Sequence, residues 1–205
     1  MSRNIFNPDS GLMILMGQIT DCIFLSMFWL LGCFPIVTVG PTTAALYDAV
    51  ARSLRKGEKH SWNKFWQSFK RNLISGILPG LFVLAVGGGT GWLLIQVWNA
   101  AVAGSISWML FSAVALVGVL VLGTLSLVMP VMSRFENSFG WLLRNSFLLG
   151  LANAPRTILL GSVNAVIIYL CARFVVPLFF LPCLGNLFGS VLIEPMLLPF
   201  MVETE

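Results

Sequence analysis

The longest uncharged stretch of the chain constrains its fold most. The 62 residues from 72 to 133 contain no Asp, Glu, Lys, Arg or His, and Arg71 and Arg134 bracket them. A soluble domain has about a quarter of its residues charged, many of them in loops that face water. The stretch divides into two apolar segments around a short turn at residues 99–105. This pattern predicts two membrane-spanning helices joined on the far side of a bilayer.

The overall composition extends this prediction to the whole chain, residues 1–205, as a single integral membrane domain. The chain is 58% hydrophobic and only 10% charged. Its first apolar stretch lacks a small-residue cleavage pattern, so we expect it to stay attached as an anchor. The formal net charge of +4 comes from basic residues at the ends of apolar segments. Such residues are typical of membrane topology signals and do not indicate nucleic-acid binding.

We predict an all-α fold, a polytopic membrane helix bundle with about five transmembrane helices. The apolar segments behind this prediction are residues 12–39, 73–97, 106–132, 157–172 and 175–192. Five crossings would place the amino terminus outside and the carboxyl terminus inside. Four crossings would place both termini outside, and the prolines of the last segment leave the two counts open.

Two basic connectors, at about residues 42–72 and 133–156, are predicted to be amphipathic and cytoplasmic. The first holds seven of the twelve Lys and Arg residues, which the positive-inside rule assigns to the cytoplasmic side. Within it, Leu46, Val50 and Leu54 recur every fourth residue and predict a helix with one apolar stripe. Two crossings between the connectors place the second on the same side as the first.

A second helix in the first connector is predicted to begin near Ser61, which is a candidate N-cap. Aromatic residues recur on one face of this helix and basic residues on the other. Our candidate partner interface on it consists of Trp62, Phe65, Trp66, Phe69, Lys70 and Arg71. A cationic helix with an aromatic face lies flat on a membrane or packs beneath a membrane bundle. Binding of anionic lipid and docking of a partner protein both remain open.

A candidate intramembrane polar site consists of Gln18, Asp21 and Arg173. A charged group within a crossing costs about 2.5–3.5 kcal/mol on insertion scales, so such residues often mark function. Asp21 and Gln18 share a helix face, as a proton- or cation-coupled carboxylate would require. Alternatively, Asp21 lies at the outer interface or pairs with Arg173 for structure only. Arg173 is expected to extend toward the outer interface, and Glu194 to lie at the inner one.

No catalytic, metal or cofactor site is predicted. His60 is the only histidine, and the acidic residues are scattered singly, so no catalytic or metal-ligand group can be assembled. The four cysteines form no CxxC pair and are expected to be small buried hydrophobic residues. We therefore interpret the chain as non-enzymatic.

The glycines of the second apolar segment have a packing interpretation. Gly76 and Gly80 form one GxxxG pair, and Gly87 and Gly91 form another. A phosphate-binding loop at residues 87–91 lacks the strand-to-helix context and the following lysine that nucleotide sites require. Both pairs instead predict close helix packing or a local unwinding.

One segment carries a resemblance to a known family. Residues 34–47 read FPIVTVGPTTAALY, and further matches are Asn7, Pro8, Trp29, Phe65, Phe69 and Asn72. These residues resemble the YesL family of small bacterial integral membrane proteins, which are built on a domain of unknown function. The resemblance covers most of the chain and is most specific in its first 80 residues. Ser26 departs from the pattern, because Asn is expected there.

The resemblance implies a multi-pass protein of the bacterial plasma membrane. Members of the family tend to be encoded with carbohydrate ABC importers and polysaccharide-degrading enzymes. This association implies a non-catalytic accessory or scaffold subunit whose partners are the importer's permease subunits and membrane lipid. Two alternatives remain: a small secondary transporter or channel that uses Asp21, and a membrane-embedded sensor or assembly factor. No ligand-binding residues follow from the resemblance.

Overall fold

A computed structural model describes residues 11–55, 60–135, 138–174 and 176–202. These residues form helices and connecting turns, with no strand among them, so the predicted all-α fold is confirmed. The α-helices are α1 (Gly11–Cys33), α2 (Val39–Val50), α3 (Ser61–Arg71), α4 (Ile77–Val102), α5 (Trp108–Arg134), α6 (Phe139–Ala152), α7 (Ala154–Arg173) and α8 (Leu181–Val202). Short 3-10 turns occupy Ile36–Thr38 and Val176–Phe179, and a π-helical turn, Ala51–Arg55, continues α2.

Four helices of the described residues are long and apolar enough to cross a membrane. They are Met16–Cys33 in α1, Ile77–Val102, Trp108–Arg134 and Ala154–Arg173. The fifth predicted crossing corresponds to α8, whose apolar part, Leu181–Leu197, is shorter than these spans. The membrane class of the protein is therefore supported, and the exact count of five is not confirmed.

Helices α4 and α5 form the hairpin predicted from the uncharged stretch. The chain reverses through Gly104, whose φ of 72° suits a residue without a side chain. Ser107 then caps α5, because its hydroxyl oxygen accepts a hydrogen bond from the Met109 N–H at 3.2 Å. The rings of Trp98 and Trp108 pack edge to face at 5.7 Å beside this turn.

Helix α2 lies at the centre of the fold. Ten of its twelve residues are buried, and α1, α3, α4, α5 and α8 all pack against it. The prediction of a single apolar stripe on an amphipathic segment is therefore wrong for α2. Its sequence explains the difference, because Gly40, Ala44, Ala45 and Ala49 are small enough for neighbouring helices to approach from every side.

The first predicted glycine pair is a point of close packing, as expected. A Cβ on Gly76 would lie 3.0 Å from side-chain atoms of Pro41 and Met132, and a Cβ on Gly80 would lie 2.5 Å from the Gly40 Cα. Only hydrogen atoms fit between the backbones of Gly40 and Gly80. Gly76 and Gly80 therefore set the crossing of α2 and α4.

The second glycine pair behaves differently. A Cβ on Gly87 would meet Leu125 at an ordinary 3.6 Å, and one on Gly91 would meet no described atom within 4 Å. Helix α4 also runs unbroken through this region, without unwinding. Neither predicted role is found for Gly87 and Gly91 among the described residues.

Helix α6 departs from the amphipathic character predicted for residues 133–156. Its exposed face carries Phe147, Leu148 and Leu151, each at least half exposed, and its one charged residue is Arg144. Arg134 and Arg156 lie outside the helix, which is therefore mostly apolar on its exposed face as well as on its buried face.

One predicted helix boundary and one predicted cap are wrong, although α3 begins at Ser61 as expected. Helix α1 ends at Cys33 and does not continue to residue 39, because Pro35 lacks an N–H and restricts the residue before it. Ser61 is the first residue of α3, and His60 precedes the helix in a left-handed conformation with φ 67°. The Ser61 hydroxyl does not cap the helix but donates a hydrogen bond to Asp21.

Candidate functional site

Charged side chains gather at one end of the α4–α5 hairpin, opposite the turn with Trp98 and Trp108. Arg71 ends α3 shortly before α4 begins, and Arg134 ends α5. Helix α4 has 26 residues, and at a rise of about 1.5 Å per residue it separates the two ends by about 39 Å. We call the charged group the arginine cluster, and its members are Asp48, Arg52, Arg55, Arg71, Arg134 and Glu194.

Asp48 of α2 is one centre of the arginine cluster. Its side chain is only 2% exposed, and three arginines approach its carboxylate. The Arg52 Nε donates to Oδ1 at 2.9 Å, one helical turn along the chain. The Arg71 and Arg134 guanidinium groups each lie 3.7 Å from a carboxylate oxygen. Asp48 thereby joins α2 to the ends of α3 and α5.

Glu194 of α8 is the second centre. Its two carboxylate oxygens each lie 2.9 Å from a guanidinium nitrogen, one from Arg55 and one from Arg134. Arg55 also donates to the Ser190 carbonyl at 2.8 Å. Since Arg134 contacts both Asp48 and Glu194, the two centres form a single network that joins four helices.

The arginine cluster carries more positive than negative charge. Four guanidinium groups face two carboxylates, which leaves a formal surplus of two positive charges within the cluster. Burying ions is costly unless each is paired, and the Arg134 side chain is only 10% exposed. The surplus therefore resides on the outer arginines, Arg52, Arg55 and Arg71, whose side chains are 31–42% exposed.

Two buried polar atoms beside the cluster have no hydrogen-bond partner among the described residues. They are the Tyr47 hydroxyl and the Arg134 Nε. Burial raises the pKa of Tyr47 above its ordinary value, and the charge of Arg134 opposes this rise. The Tyr47 phenol therefore stays neutral at physiological pH, and it adds no negative charge to balance the arginines.

The predicted intramembrane polar site is divided in the structure. Asp21 accepts a hydrogen bond from the Ser61 hydroxyl at 2.6 Å, and Ser61 also bonds to Ser53. This chain of polar groups joins α1 to α3 and to the π-helical turn. Gln18 is exposed on α1, and Arg173 is exposed at the end of α7. The ion pairs of the described residues do not include one between Asp21 and Arg173.

An apolar groove of about 390 Å³ lies beside Asp21, between α1 and α8. Its walls are Gln18, Ile19, Cys22 and Ile23 of α1, Leu54 of the π-helical turn, and Phe180, Leu184 and Leu187 at α8. The exposed side chains of Ile19, Ile23 and Leu184 form its rim. Gln18 thus contributes to the wall of an apolar groove and not to a polar pathway.

The candidate partner interface on α3 is partly buried. Phe65 is 2% exposed and belongs to a core cluster with α1 and α2, so it is not available to a partner. Phe69 is half-buried, and its ring stacks on that of Phe65. Trp62 and Trp66 are 47% and 36% exposed, and their rings meet at 5.6 Å. Lys70 and Arg71 are exposed, and Arg71 also donates to the Ser133 carbonyl at 3.2 Å.

No group of three or more His, Cys, Asp or Glu side chains among the described residues is placed to hold a metal ion. Asp48 and Glu194 are surrounded by cations, which would repel a metal ion from both. The arrangement is instead suited to binding an anion, because arginine donates paired hydrogen bonds to phosphate or carboxylate groups.

The comparison with known proteins covers the first part of this architecture. Residues 22–91 match the family model described as a protein of unknown function, DUF624. These 70 of 205 residues contain α2, the π-helical turn, α3 and the Gly40–Gly80 crossing, and they include Asp48. No curated protein and no solved structure matches the chain. The match supports the presence of an uncharacterised domain and assigns it no activity.

Sequence reasoning did not identify the arginine cluster. Asp48 follows the apolar residues Leu46 and Tyr47. Arg52 follows it by four positions, a spacing that places both side chains on one helix face. This spacing was the one local signal available. The contributions of Arg134 and Glu194 depend on contacts between distant helices, which the sequence does not display.

Proposed function

We propose that the chain is a non-catalytic accessory or scaffold subunit of a bacterial carbohydrate ABC importer. The YesL resemblance suggests the importer, and the DUF624 match over residues 22–91 is compatible with that resemblance. In this proposal the protein resides in the plasma membrane, and its arginine cluster and α3 face the cytoplasm. The importer's permease subunits bind at α3.

The exposed pair of Trp62 and Trp66 is the observation that carries this proposal. Tryptophan is enriched where proteins bind one another, because it buries a large area at a small entropic cost. The rings of Phe28 and Phe65 pack against this pair. The Trp62 and Phe28 ring centroids are 4.2 Å apart, and those of Trp66 and Phe65 are 6.2 Å apart. A rigid aromatic pair beside the basic Lys70 suits a partner surface that is apolar at its centre and acidic at its edge.

The decisive experiment is co-purification with the permease subunits in mild detergent. We expect the wild-type chain to retain the permease and the double variant Trp62→Gln, Trp66→Gln to lose it. Phe65 should not be changed, because its loss would disturb the core. Trp92→Gln is the control, since Trp92 is also exposed but belongs to the α4 span. A wild-type chain that never associates with a permease would refute the proposal.

The proposed orientation has its own test. Lys70→Cys and Ser105→Cys place thiols at exposed positions near opposite ends of α4. A membrane-impermeant maleimide applied to intact cells should label position 105 and not position 70. Lys59, the position that the sequence favours for such labelling, lies outside the described residues. Labelling at position 70 from outside would reverse the orientation and remove a cytoplasmic docking role.

A small transporter or channel that uses Asp21 is the alternative. Asp21 lies within the candidate span of α1 and beside the groove, but Ser61 occupies one of its oxygens. This alternative predicts proton- or cation-dependent flux in liposomes that Asp21→Asn abolishes. Asp48→Asn is unsuitable as a control because it disturbs the ion network, so Glu205→Gln should serve. Flux that is equal in wild type and Asp21→Asn would exclude the role.

A further inference from the structure

We propose that the groove between α1 and α8, together with Arg52 and Arg55, binds one anionic phospholipid. An acyl chain occupies the groove, and the lipid phosphate binds the two guanidinium groups. This site is separate from the α3 surface, and it does not depend on an importer partner.

The groove has the chemistry of an acyl-chain site. Seven of its eight lining residues are apolar or a thiol, and Gln18 is the one amide. Its volume of about 390 Å³ falls within the range of about 300–1,000 Å³ that small-molecule sites occupy. Six of the eight lining residues belong to the candidate span of α1 or to the apolar part of α8, and Leu54 and Phe180 complete the walls. The groove thus lies where lipid tails surround the protein.

The arginines have donors available for a phosphate. Within the described residues, Arg52 uses only its Nε, toward Asp48, and the contacts of Arg55 all use Nη1. The remaining guanidinium nitrogens belong to side chains that are 35% and 31% exposed. A phosphate accepts paired hydrogen bonds from such groups, and its charge offsets the surplus of the cluster. If the Asp21 carboxylate near the groove is added to those of Asp48 and Glu194, the four arginines still leave a surplus of one positive charge.

The groove adjoins Arg55 through the π-helical turn, which also carries Arg52. Leu54, which lines the groove, directly precedes Arg55 in the π-helical turn. On the other wall, Leu187 lies one helical turn before Ser190, whose carbonyl accepts the hydrogen bond from Arg55. A molecule with an apolar tail and an anionic head joined to it matches this order of surfaces. A free anion would use only the arginines, and a neutral lipid would use only the groove.

The test measures how lipids stabilise the full chain in detergent micelles. The probes are phosphatidylglycerol, phosphatidylcholine with the same acyl chains, and glycerol 3-phosphate as the head without a tail. We expect phosphatidylglycerol to raise the unfolding temperature and to appear as a one-to-one complex in native mass spectrometry. The other two probes should do neither at the same concentration.

Four variants connect the effect to the site. Arg52→Gln removes one phosphate ligand, and Leu184→Trp fills the groove. Arg52→Gln should weaken phosphatidylglycerol binding about tenfold or more, because a hydrogen bond to a charged group is worth that much. Leu184→Trp should weaken it because the indole occupies the space of the acyl chain. Arg144→Gln and Leu159→Trp make the same changes at exposed positions elsewhere and should bind normally.

Three results would overturn the proposal. Equal stabilisation by phosphatidylcholine would show that the charge is irrelevant, and equal stabilisation by glycerol 3-phosphate would show that no tail enters the groove. Equal loss of binding in Arg52→Gln and Arg144→Gln would show general attraction to a basic protein. If Arg52→Gln fails to fold, Leu184→Trp still decides, because unchanged lipid binding in that variant excludes the groove.

Discussion

Gly40 of α2 and Gly80 of α4 touch backbone to backbone. A Cβ on Gly40 would lie 2.6 Å from the Gly80 Cα, and a Cβ on Gly80 would lie 2.5 Å from the Gly40 Cα. Real Cβ atoms do not approach other atoms so closely, and neither backbone can move without shifting its helix. The two glycines therefore determine how closely the central helix α2 approaches the α4–α5 hairpin.

We predict that Gly80→Ala destabilises the protein by about 1–3 kcal/mol or more, since it overpacks a helix crossing. Gly88→Ala is the matched control on the same helix, because a Cβ at Gly88 would meet no described atom within 4 Å. The control should be neutral or slightly stabilising, as alanine favours helix more than glycine does. Thermal unfolding in detergent micelles measures both, and equal effects would contradict the crossing.

The burial of Asp48 makes a second prediction. Asp48→Asn leaves Arg52, Arg71 and Arg134 without a common counter-charge, and breaking a buried ion network of this kind costs about 3–5 kcal/mol. Asp21→Asn makes the same chemical change at a partly exposed residue, where the amide oxygen can still accept the hydrogen bond from Ser61. We therefore expect a much smaller loss of stability for Asp21→Asn. The reverse order would mean that Asp48 is not the centre of the network.

Tyr47→Phe should be nearly neutral below pH 9. The Tyr47 hydroxyl has no hydrogen-bond partner among the described residues, so its removal should change the free energy of unfolding by less than about 1 kcal/mol. A loss of several kcal/mol would reveal a partner for the hydroxyl in solution.

The burial of Tyr47 also predicts that the stability of the wild type, relative to Tyr47→Phe, depends on pH. Burial raises the pKa of Tyr47 in the folded protein, while the unfolded residue ionises at about pH 10. Above about pH 10 the folded state therefore binds more protons than the unfolded state, and stability falls as the pH rises. The wild type should lose about 1.4 kcal/mol per pH unit relative to Tyr47→Phe there. Parallel stability curves for the two proteins between pH 9 and 11 would contradict the burial.

Two cysteines report the packing of α1 against α8. Cys22 and Cys183 are both buried and belong to the same core cluster, and the Ser26 hydroxyl accepts a hydrogen bond from the Cys183 N–H at 3.3 Å. We predict that air oxidation catalysed by copper phenanthroline removes one hydrogen from each thiol and links this pair within one chain. Cys183→Ser should abolish the link, which mass spectrometry of proteolytic fragments identifies. A link from Cys22 to Cys33 or Cys171 would refute this packing.

The membrane-length helices were predictable because their signal is local. The absence of charge from residues 72–133 identifies α4 and α5, since a helix satisfies its own backbone groups in lipid. The Gly76–Gly80 pair was predictable for the same reason, as its spacing depends on residues close in sequence. The capping residue of α3 was not predictable, because Ser61 directs its hydroxyl to another helix.

The candidate sites were harder to predict because they depend on which helices meet. Phe65 and Trp66 are neighbours in sequence with similar character, yet one is buried and the other exposed. Helical periodicity identifies an aromatic face but does not show how much of it the protein covers. Asp21 stood out because it interrupts an apolar segment, whereas Asp48 was hidden in a connector that already contained many charges.

The sequence by itself determined that the chain forms α-helices long and apolar enough to cross a membrane, because the length and hydropathy of each stretch are local properties. Only the tertiary structure decided that α2 is the centre of the fold and that Glu194 and Arg134 complete the network around Asp48. The physical reason is the distance along the chain between the residues that interact. Hydrophobic transfer is a property of each segment, whereas ion pairs and close helix crossings exist only once distant segments have packed together.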